Sequence, residues 1–495
     1  MDAARSLVNH VAVLLSSQLI TSLLGFLTVV LLPVYLGDAG LGQLAFALSI
    51  CTVLGAVAVA GTNLYIVREV AANRGRSSQL IAAGLVMRAP VWAVLVVITW
   101  VYISLRGTSH QAMVVLAVLF AVTLFNVLNG VLASALQGLE EMRWRSVAAV
   151  ASSMIVLLAG LPLLVLTHSP VWFCVALLAG AIAGLAVNAF YFIRRRLPLS
   201  LPSRGDYREI AIGAMPFLAL ALSQGLYSQI DTIFMGLMTN DATVGWFAAA
   251  ARLSTTVLLV PVVMTSALLP VLTRLGAAQP AAAALASRRA LQAVLMLAMP
   301  LAAGLSAVGQ PLFAFLHYPE TFSRSIPILI VLSASWVVTA VVMVLACTVV
   351  ATGRQRSWAT ASGAMLFLFG ALNLGLIPLA TRLWSNGGIG AAVANLVGEL
   401  VFAVVALAIV QERFLGWREA LYFARVGLAT LGMVVAVRMA GGLSLPLLIA
   451  IGALAYGLLS VALRTLTVGD ARSVVQLLRK ERPAVTTTAP APIAS

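Results

Sequence analysis

The chain is dominated by apolar runs of about 20 to 28 residues, the length a helix needs to cross a bilayer at 1.5 Å per residue. Neither the alternation nor the short ten-residue segments of a membrane β-barrel are present. The runs are rich in Leu, Ala and Val, and only 9% of residues are charged, against the roughly one quarter that a soluble surface requires. The expected fold class is an all-α integral membrane protein.

Fourteen spans are expected, at about 10–36, 40–65, 80–105, 111–137, 147–167, 170–193, 209–237, 244–270, 289–316, 325–352, 357–381, 387–411, 419–440 and 444–465. The first run is too long for a signal-peptide core and is expected to stay as a helix. A net charge of +15 invites a nucleic-acid reading, but the basic residues are nearly all Arg (Lys480 is the one Lys) and sit in the short connections. Counted with the N-terminus inside, the inner connections hold most of the 30 basic residues, including Arg194, Arg195, Arg196, Arg204 and Arg208. The outer ones hold only Arg106, Arg324, Arg382 and Arg438. Such asymmetry is an orientation signal, so both termini are expected in the cytoplasm and no nucleic-acid partner is expected.

The Arg- and Pro-rich connection at 194–208 divides the chain. Asp38-Ala-Gly-Leu-Gly42 after the first span recurs as Asp241-Ala-Thr-Val-Gly245 after the seventh, 203 positions later. Gly138, Arg143 and Trp144 are echoed by Gly353, Arg356 and Trp358. Six spans on each side keep the halves in the same orientation, which predicts two pseudo-symmetric six-helix lobes. The expected organisation is a lobe over 1–193, a linker over 194–208 and a second lobe over 209–411. Two additional helices fill 412–465, and a tail at 466–495 opens with a short interfacial helix.

Charges inside a bilayer cost roughly 2.5–3.5 kcal/mol each, so those within spans need a partner, a wet cavity or a task. They are Arg88, Asp231, Arg252, Glu399 and Arg425, with Glu69 at a span end. Glu399 is near the middle of its span, with Asn395 one turn before it. It is either a buried hydrogen-bonded carboxylate or a lumen site that titrates or holds a headgroup. Asp231 shares a helical face with Gln224 and Ser228 and lies at the depth of Arg252, which predicts an ion pair between them. That pair is either structural or part of a substrate or coupling site. Offset by 203, Asp231 and Arg252 fall on Thr28 and Ser49, so the pair belongs to one lobe. Arg88 and Arg425 either face a cavity or snorkel. Asn126, Asn129 and Gln137 in span four, and Ser17, Gln18, Thr21 and Ser22 in span one, offer interhelical hydrogen bonds or a cavity lining.

Cys51, Cys174 and Cys347 are scattered within apolar runs, and the four His fall at run ends, so no disulfide framework, metal site or cofactor is expected. No phosphate loop, nucleophile elbow or large extramembrane loop suggests an enzyme.

The order Pro216, Asp231, Asp241, Gly245, Trp246-Phe247 and Arg252 resembles the second-half opening of bacterial polysaccharide transporters. These belong to the multidrug/oligosaccharidyl-lipid/polysaccharide exporter superfamily. Leu36-Gly37-Asp38 with Gly40, Gly42 and Gln43, then Arg68-Glu69, then Ala135-Leu136-Gln137-Gly138-Leu139-Glu140, are similar to its first half. Gly387-Gly388-Ile389-Gly390-Ala391-Ala392 leading to Glu399 is similar to its twelfth span. The resemblance implies two lobes around a central cavity and alternating access across the bacterial inner membrane. It further implies as substrate an oligosaccharide on undecaprenyl pyrophosphate, for surface polysaccharide synthesis. Arg88, Arg252 and Arg425 would meet the diphosphate, with Asn126, Asn129, Gln224, Ser228 and Asn395 lining the cavity. Asp231 or Glu399 would couple to protons or sodium. A polysaccharide polymerase and glycosyltransferases are further partners such a role implies. The alternatives within the superfamily are a lipid II flippase and a multidrug antiporter.

Overall fold

The computed structural model describes residues 2–59, 61–105, 109–195, 202–275, 280–410 and 416–465, and these are helical almost throughout. The expected interfacial helix and tail beyond residue 465 lie outside the described residues, as do residues 196–201 of the linker. Helices α1 (Asp2–Val59), α2 (Thr62–Ala72), α3 (Ser77–Leu105), α4 (His110–Gly138), α5 (Met142–Thr167) and α6 (Pro170–Arg194) form the first half. The second half opens with α7 (Arg204–Met238), α8 (Asp241–Ser254) and α9 (Leu259–Leu275). It continues through α10 (Pro280–Ala307), α11 (Gly309–Phe315), α12 (Ser325–Ala351), α13 (Gln355–Trp384) and α14 (Gly387–Val410). Helices α15 (Trp417–Met439) and α16 (Leu445–Ala462) follow, packed on each other and, through α15, on α10.

Twelve helical stretches are long and apolar enough to cross a membrane among the described residues. One of them, Ile20–Val59, holds the first two expected spans, because α1 bends at Gly37. There φ is +66°, a left-handed value that costs an L side chain and that glycine adopts freely. The seventh expected span is the 35-residue α7, whose C-terminal half carries Gln224, Ser228, Gln229 and Asp231. The chain is a multi-pass integral membrane protein.

Three expected spans are broken, the ninth of them at Val308 between α10 and α11. The second stops at Gly61 (φ +72°) before α2 continues it. The eighth passes through a 3-10 turn at Thr255–Leu258 between α8 and α9. The break in the eighth has a visible cause. Pro261 has no N–H for the Val257 carbonyl and its ring crowds that oxygen.

Within the first half α5 packs on α6, and α4 and α6 pair, with α1 against α5. Within the second, α14 lies between α12 and α13, and α10 packs on α12. The halves meet where α1 crosses α8 and where α1 and α2 run along α7. The two repeated turns touch each other at this crossing. A Cβ placed on Gly42 would overlap the Asp241 carbonyl, with its carbon 2.7 Å away, and one on Gly245 would lie 2.8 Å from the Asp38 carbonyl carbon. Around these approaches the hydrogen bonds are reciprocal. Gln43 Nε2 donates to Asp241 Oδ2 at 2.9 Å, and Trp246 Nε1 donates to Asp38 Oδ2 at 3.1 Å. Gln43 and Trp246 are themselves 203 positions apart, so the repeat offset maps each donor and each acceptor onto the other. The result is a pseudo-two-fold clasp at the end of the molecule opposite the arginine-rich connections.

Candidate functional site: a carboxylate and amide cluster in the second half

Asp231 sits on α7 and is half-buried. Asn373 of α13 donates Nδ2 to its Oδ1 at 2.8 Å, and Asn395 of α14 donates Nδ2 to its Oδ2 at 2.9 Å. Both amides are oriented by further bonds. Asn395 Oδ1 accepts from Ser335 Oγ of α12 at 2.6 Å, and Asn373 Nδ2 also reaches the Phe369 carbonyl at 2.9 Å. Four helices therefore converge on one carboxylate. Spacing brings in the second acid, since Glu399 is four residues after Asn395 and Tyr227 four before Asp231. Each pair shares a helix face, and the Tyr227 hydroxyl donates to Glu399 Oε1.

Glu399 is fully buried, and its Oε2 has no donor, although Thr339 lies beside it. The Asn373 carbonyl oxygen is likewise buried without a donor. The wall of the cluster is apolar and tight. Phe369 meets Tyr227 edge-on, with ring centroids 5.4 Å apart, and packs on Gly398, where a Cβ would lie 2.6 Å from the ring's Cζ. The cluster thus holds two carboxylates and two unsatisfied oxygens in an apolar shell. Such oxygens each forfeit about 1–3 kcal/mol unless something supplies a donor or a positive charge. Among the described residues no group of three His, Cys, Asp or Glu is placed to hold a metal ion.

The expected ion pair between Asp231 and Arg252 is not formed. No Arg252 nitrogen lies within 4.0 Å of an Asp231 oxygen, and Asp231 is satisfied by the two amides instead. Matched depth on consecutive helices does not give matched faces, because the helices turn side chains through about 100° per residue. Arg252 lies two residues before the α8 break, and its Nη1 is buried without a hydrogen-bond partner.

Arg88 is 2% exposed and faces the first half's own interior. Its Nη1 donates to the Val127 carbonyl, and its Nη2 to Thr62 Oγ1 at 2.7 Å and Asn63 Oδ1 at 2.6 Å. Those last two acceptors begin α2, directly after the Gly61 break, so Arg88 fastens α3 and α4 to it. Arg88→Met keeps most of the volume and removes the fork, which leaves the Thr62 and Asn63 oxygens without their donor. Thermal unfolding in detergent is expected to report a loss of roughly 2–4 kcal/mol. Unchanged stability would contradict this fastening role.

Asn129 accepts from Asn188 Nδ2 at 2.7 Å, a partner on α6 that no sequence pattern marked. Asn126, Gln224 and Ser228 are exposed, and Ser228 Oγ turns back to the Gly225 carbonyl at 3.0 Å. Arg425 is half-buried on α15, which packs on α10 and α16 rather than on the helices of the cluster. Of the anticipated residues, then, Asp231, Asn395 and Glu399 come together. Asn373, Tyr227 and Ser335 complete the group.

Solved structures share the fold. A lipid II flippase, MurJ, in an inward closed conformation aligns with a TM-score of 0.73 at 15% identity, over 91% of this chain and 98% of that one. An inward-facing multidrug resistance MATE family transporter of the MOP superfamily aligns at 0.65 and 16%, over 84% and 99%. An outward-facing MATE family transporter aligns at 0.54 and 16%, over 85% and 96%. No curated protein sequence matches. The family model described as polysaccharide biosynthesis protein matches residues 7–276, more than half of the chain. On that match the chain belongs to the polysaccharide biosynthesis protein family, and its fold is that of the MurJ and MATE transporters.

Proposed function

We propose that the chain is a flippase whose two halves act as lobes, moving a polyprenyl-diphosphate-linked oligosaccharide from the cytoplasmic to the outer leaflet of a bacterial inner membrane by alternating access. The observation that carries this reading is the reciprocal clasp. The halves meet there through two glycine approaches and two reciprocal hydrogen bonds, beside the apolar packing of α1 on α8, so the two repeats face each other across a pseudo-two-fold axis, the plan on which two-lobe transporters rock.

In this reading the arginine-rich end is cytoplasmic and both termini lie there. Arg252, with a free buried nitrogen beside the α8 break, is the cation best placed for the substrate's diphosphate. The cluster of Asp231, Asn373, Asn395, Tyr227 and Glu399 is the coupling site. Its orphan Glu399 oxygen can take a proton, and that oxygen and the Asn373 carbonyl can each face a monovalent cation, which would change the charge held between α7, α13 and α14 as the lobes move. Binding energy that differs between the two conformations is what shifts a population, and an ion held in only one of them supplies it.

A clean deletion in a host without a paralogue tests the substrate. Lipid-linked oligosaccharide units should accumulate on the cytoplasmic face. Normal arrival of those units at the outer leaflet would refute the reading, and accumulation of lipid II instead would transfer the role to the peptidoglycan precursor.

A further inference from the structure

Pro300 leaves a gap in the hydrogen bonding of α10, and the last two helices fill it. A proline has no N–H for the carbonyl four residues before it, here that of Met296, and its ring bends the helix away from that oxygen. Inside a bilayer there is no water to take the place of the missing donor. The Tyr456 hydroxyl of α16 takes it instead, donating to the Met296 carbonyl at 2.6 Å. From α15 the Tyr422 hydroxyl reaches the sulfur of the same residue at 3.4 Å. Both helices of the C-terminal pair thus send a tyrosine to the residue whose carbonyl the proline frees.

Contacts on both sides of the bend keep the pair aligned with α10. Before it, Arg288 lies 3.7 Å from Glu419, whose carboxylate caps α15 by accepting the Gly416 N–H at 3.0 Å. Close to it, Met299 Cε is 3.9 Å from where a Cβ on Gly427 would stand, and Met433 Cε is 3.6 Å from the same point on Gly304. Flexible thioethers fill the space left by glycines, each helix supplying one of each. Beyond the bend, Val308 clusters with Val437, Leu445 and Leu448. Another face of α10 is engaged by its own half. There Leu291, Val294 and Ala298 cluster with Ala340 of α12 and with Val257, which lies in the 3-10 turn that breaks the eighth span.

We infer that α15 and α16 form a brace that sets the bend of α10, with Tyr456 as its positioning residue. A helix with one carbonyl unpaired in hydrocarbon can bend further, swivel or break to find a partner. A hydroxyl fixed from outside makes one of those geometries the cheapest. Through Val294 and Ala298 that geometry bears on Val257, and so on the turn that follows Arg252. The C-terminal pair is therefore part of the second half's fold and not a peripheral addition to it. This holds whatever the protein carries, so it does not rest on the flippase reading.

Pro300→Ala gives the Met296 carbonyl back its N–H, so it should make the Tyr456 hydroxyl dispensable. The test is a double-mutant cycle on the full chain, with Tyr456→Phe, Pro300→Ala and both together, read by SDS-driven unfolding in mixed micelles. With Pro300 in place, Tyr456→Phe should raise the unfolding constant about 5- to 30-fold, the range for a membrane hydrogen bond. In the Pro300→Ala background the rise should be about threefold or less. An equal cost in both backgrounds would overturn the brace, because the hydroxyl would then act elsewhere than on the freed carbonyl. No cost in either would overturn it too. If Pro300→Ala does not fold, the bend is read directly. Cys51, Cys174 and Cys347 are replaced by Ala, and nitroxide labels are placed through Gln310→Cys and Leu383→Cys, both exposed, on α11 and α13. In nanodiscs, electron paramagnetic resonance should show Tyr456→Phe shifting or broadening that distance by roughly 3 Å or more, the swing that a 10° change of kink gives at Gln310. A distance distribution matching the parent's would overturn the inference.

Discussion

Alanine at position 42 is expected to unclasp the lobes. The Gly42 Cα hydrogen faces the Asp241 backbone, and a methyl there would stand 2.7 Å from the Asp241 carbonyl carbon and 2.9 Å from the Gly245 nitrogen. These neighbours are backbone atoms of a capped helix start, with Asn240 Oδ1 accepting from the Thr243 N–H at 2.9 Å, so they cannot rotate away. Overpacking of this kind costs about 1–3 kcal/mol. Here the whole cost falls on the clasped state, because once the lobes part the methyl is unopposed. The clasped-to-open ratio should therefore fall by roughly 5- to 150-fold. Export should drop about tenfold or more with near-normal protein levels, since a cycle that cannot close at one end stalls. Gly25→Ala, where nothing lies within 4 Å, is the matched control and should export normally. Export at the wild-type rate by Gly42→Ala, measured as polysaccharide reaching the surface, would show that the clasp does not form during the cycle.

Glu399→Gln carries the second large effect. Glutamine keeps the volume and an oxygen for the Tyr227 hydroxyl, and it exchanges an orphan acceptor for an orphan donor in the same pocket. The two side chains carry comparable unsatisfied groups, so stability should change by less than about 1 kcal/mol. Lost is the ability to bind and release a proton or hold a cation with a full negative charge. Export should fall to about a tenth or less, and the dependence of transport on an imposed ion gradient should flatten. Wild-type export with an unchanged gradient response would return Glu399 to a structural role.

Much of the fold was legible because bilayers impose length. A run of apolar residues that long has few alternatives, and the Gly37-Asp38 and Asp241 turns marked the clasp by their repeat. The eighth-span break could have been read from Pro261, whose missing N–H weakens the turn before it. The Gly61 break could not, since one glycine in an apolar run is common and only its contact with Leu218 shows why it is needed.

The site was half legible. Asp231, Asn395 and Glu399 stood out because charge and amide groups are rare in spans. Asn373, Ser335 and Tyr227 did not, as each is a lone polar side chain whose partner lies on another helix. Periodicity tells which face of a helix a residue occupies, and it is silent about which helix that face meets. The same gap produced the pairing of Asp231 with Arg252. Counting residues from the turn gives depth alone, and the amides of α13 and α14 reach the carboxylate first.

Transport of a lipid-linked oligosaccharide is tested most directly with purified protein in vesicles. The vesicles are loaded with a fluorescent polyprenyl-diphosphate oligosaccharide in both leaflets, and an impermeant reagent bleaches the outer one. With protein and an ion gradient, bleaching should proceed from about half of the label to nearly all of it, at a rate that falls about tenfold in Glu399→Gln. A plateau at half, matching protein-free vesicles, would contradict the flippase assignment.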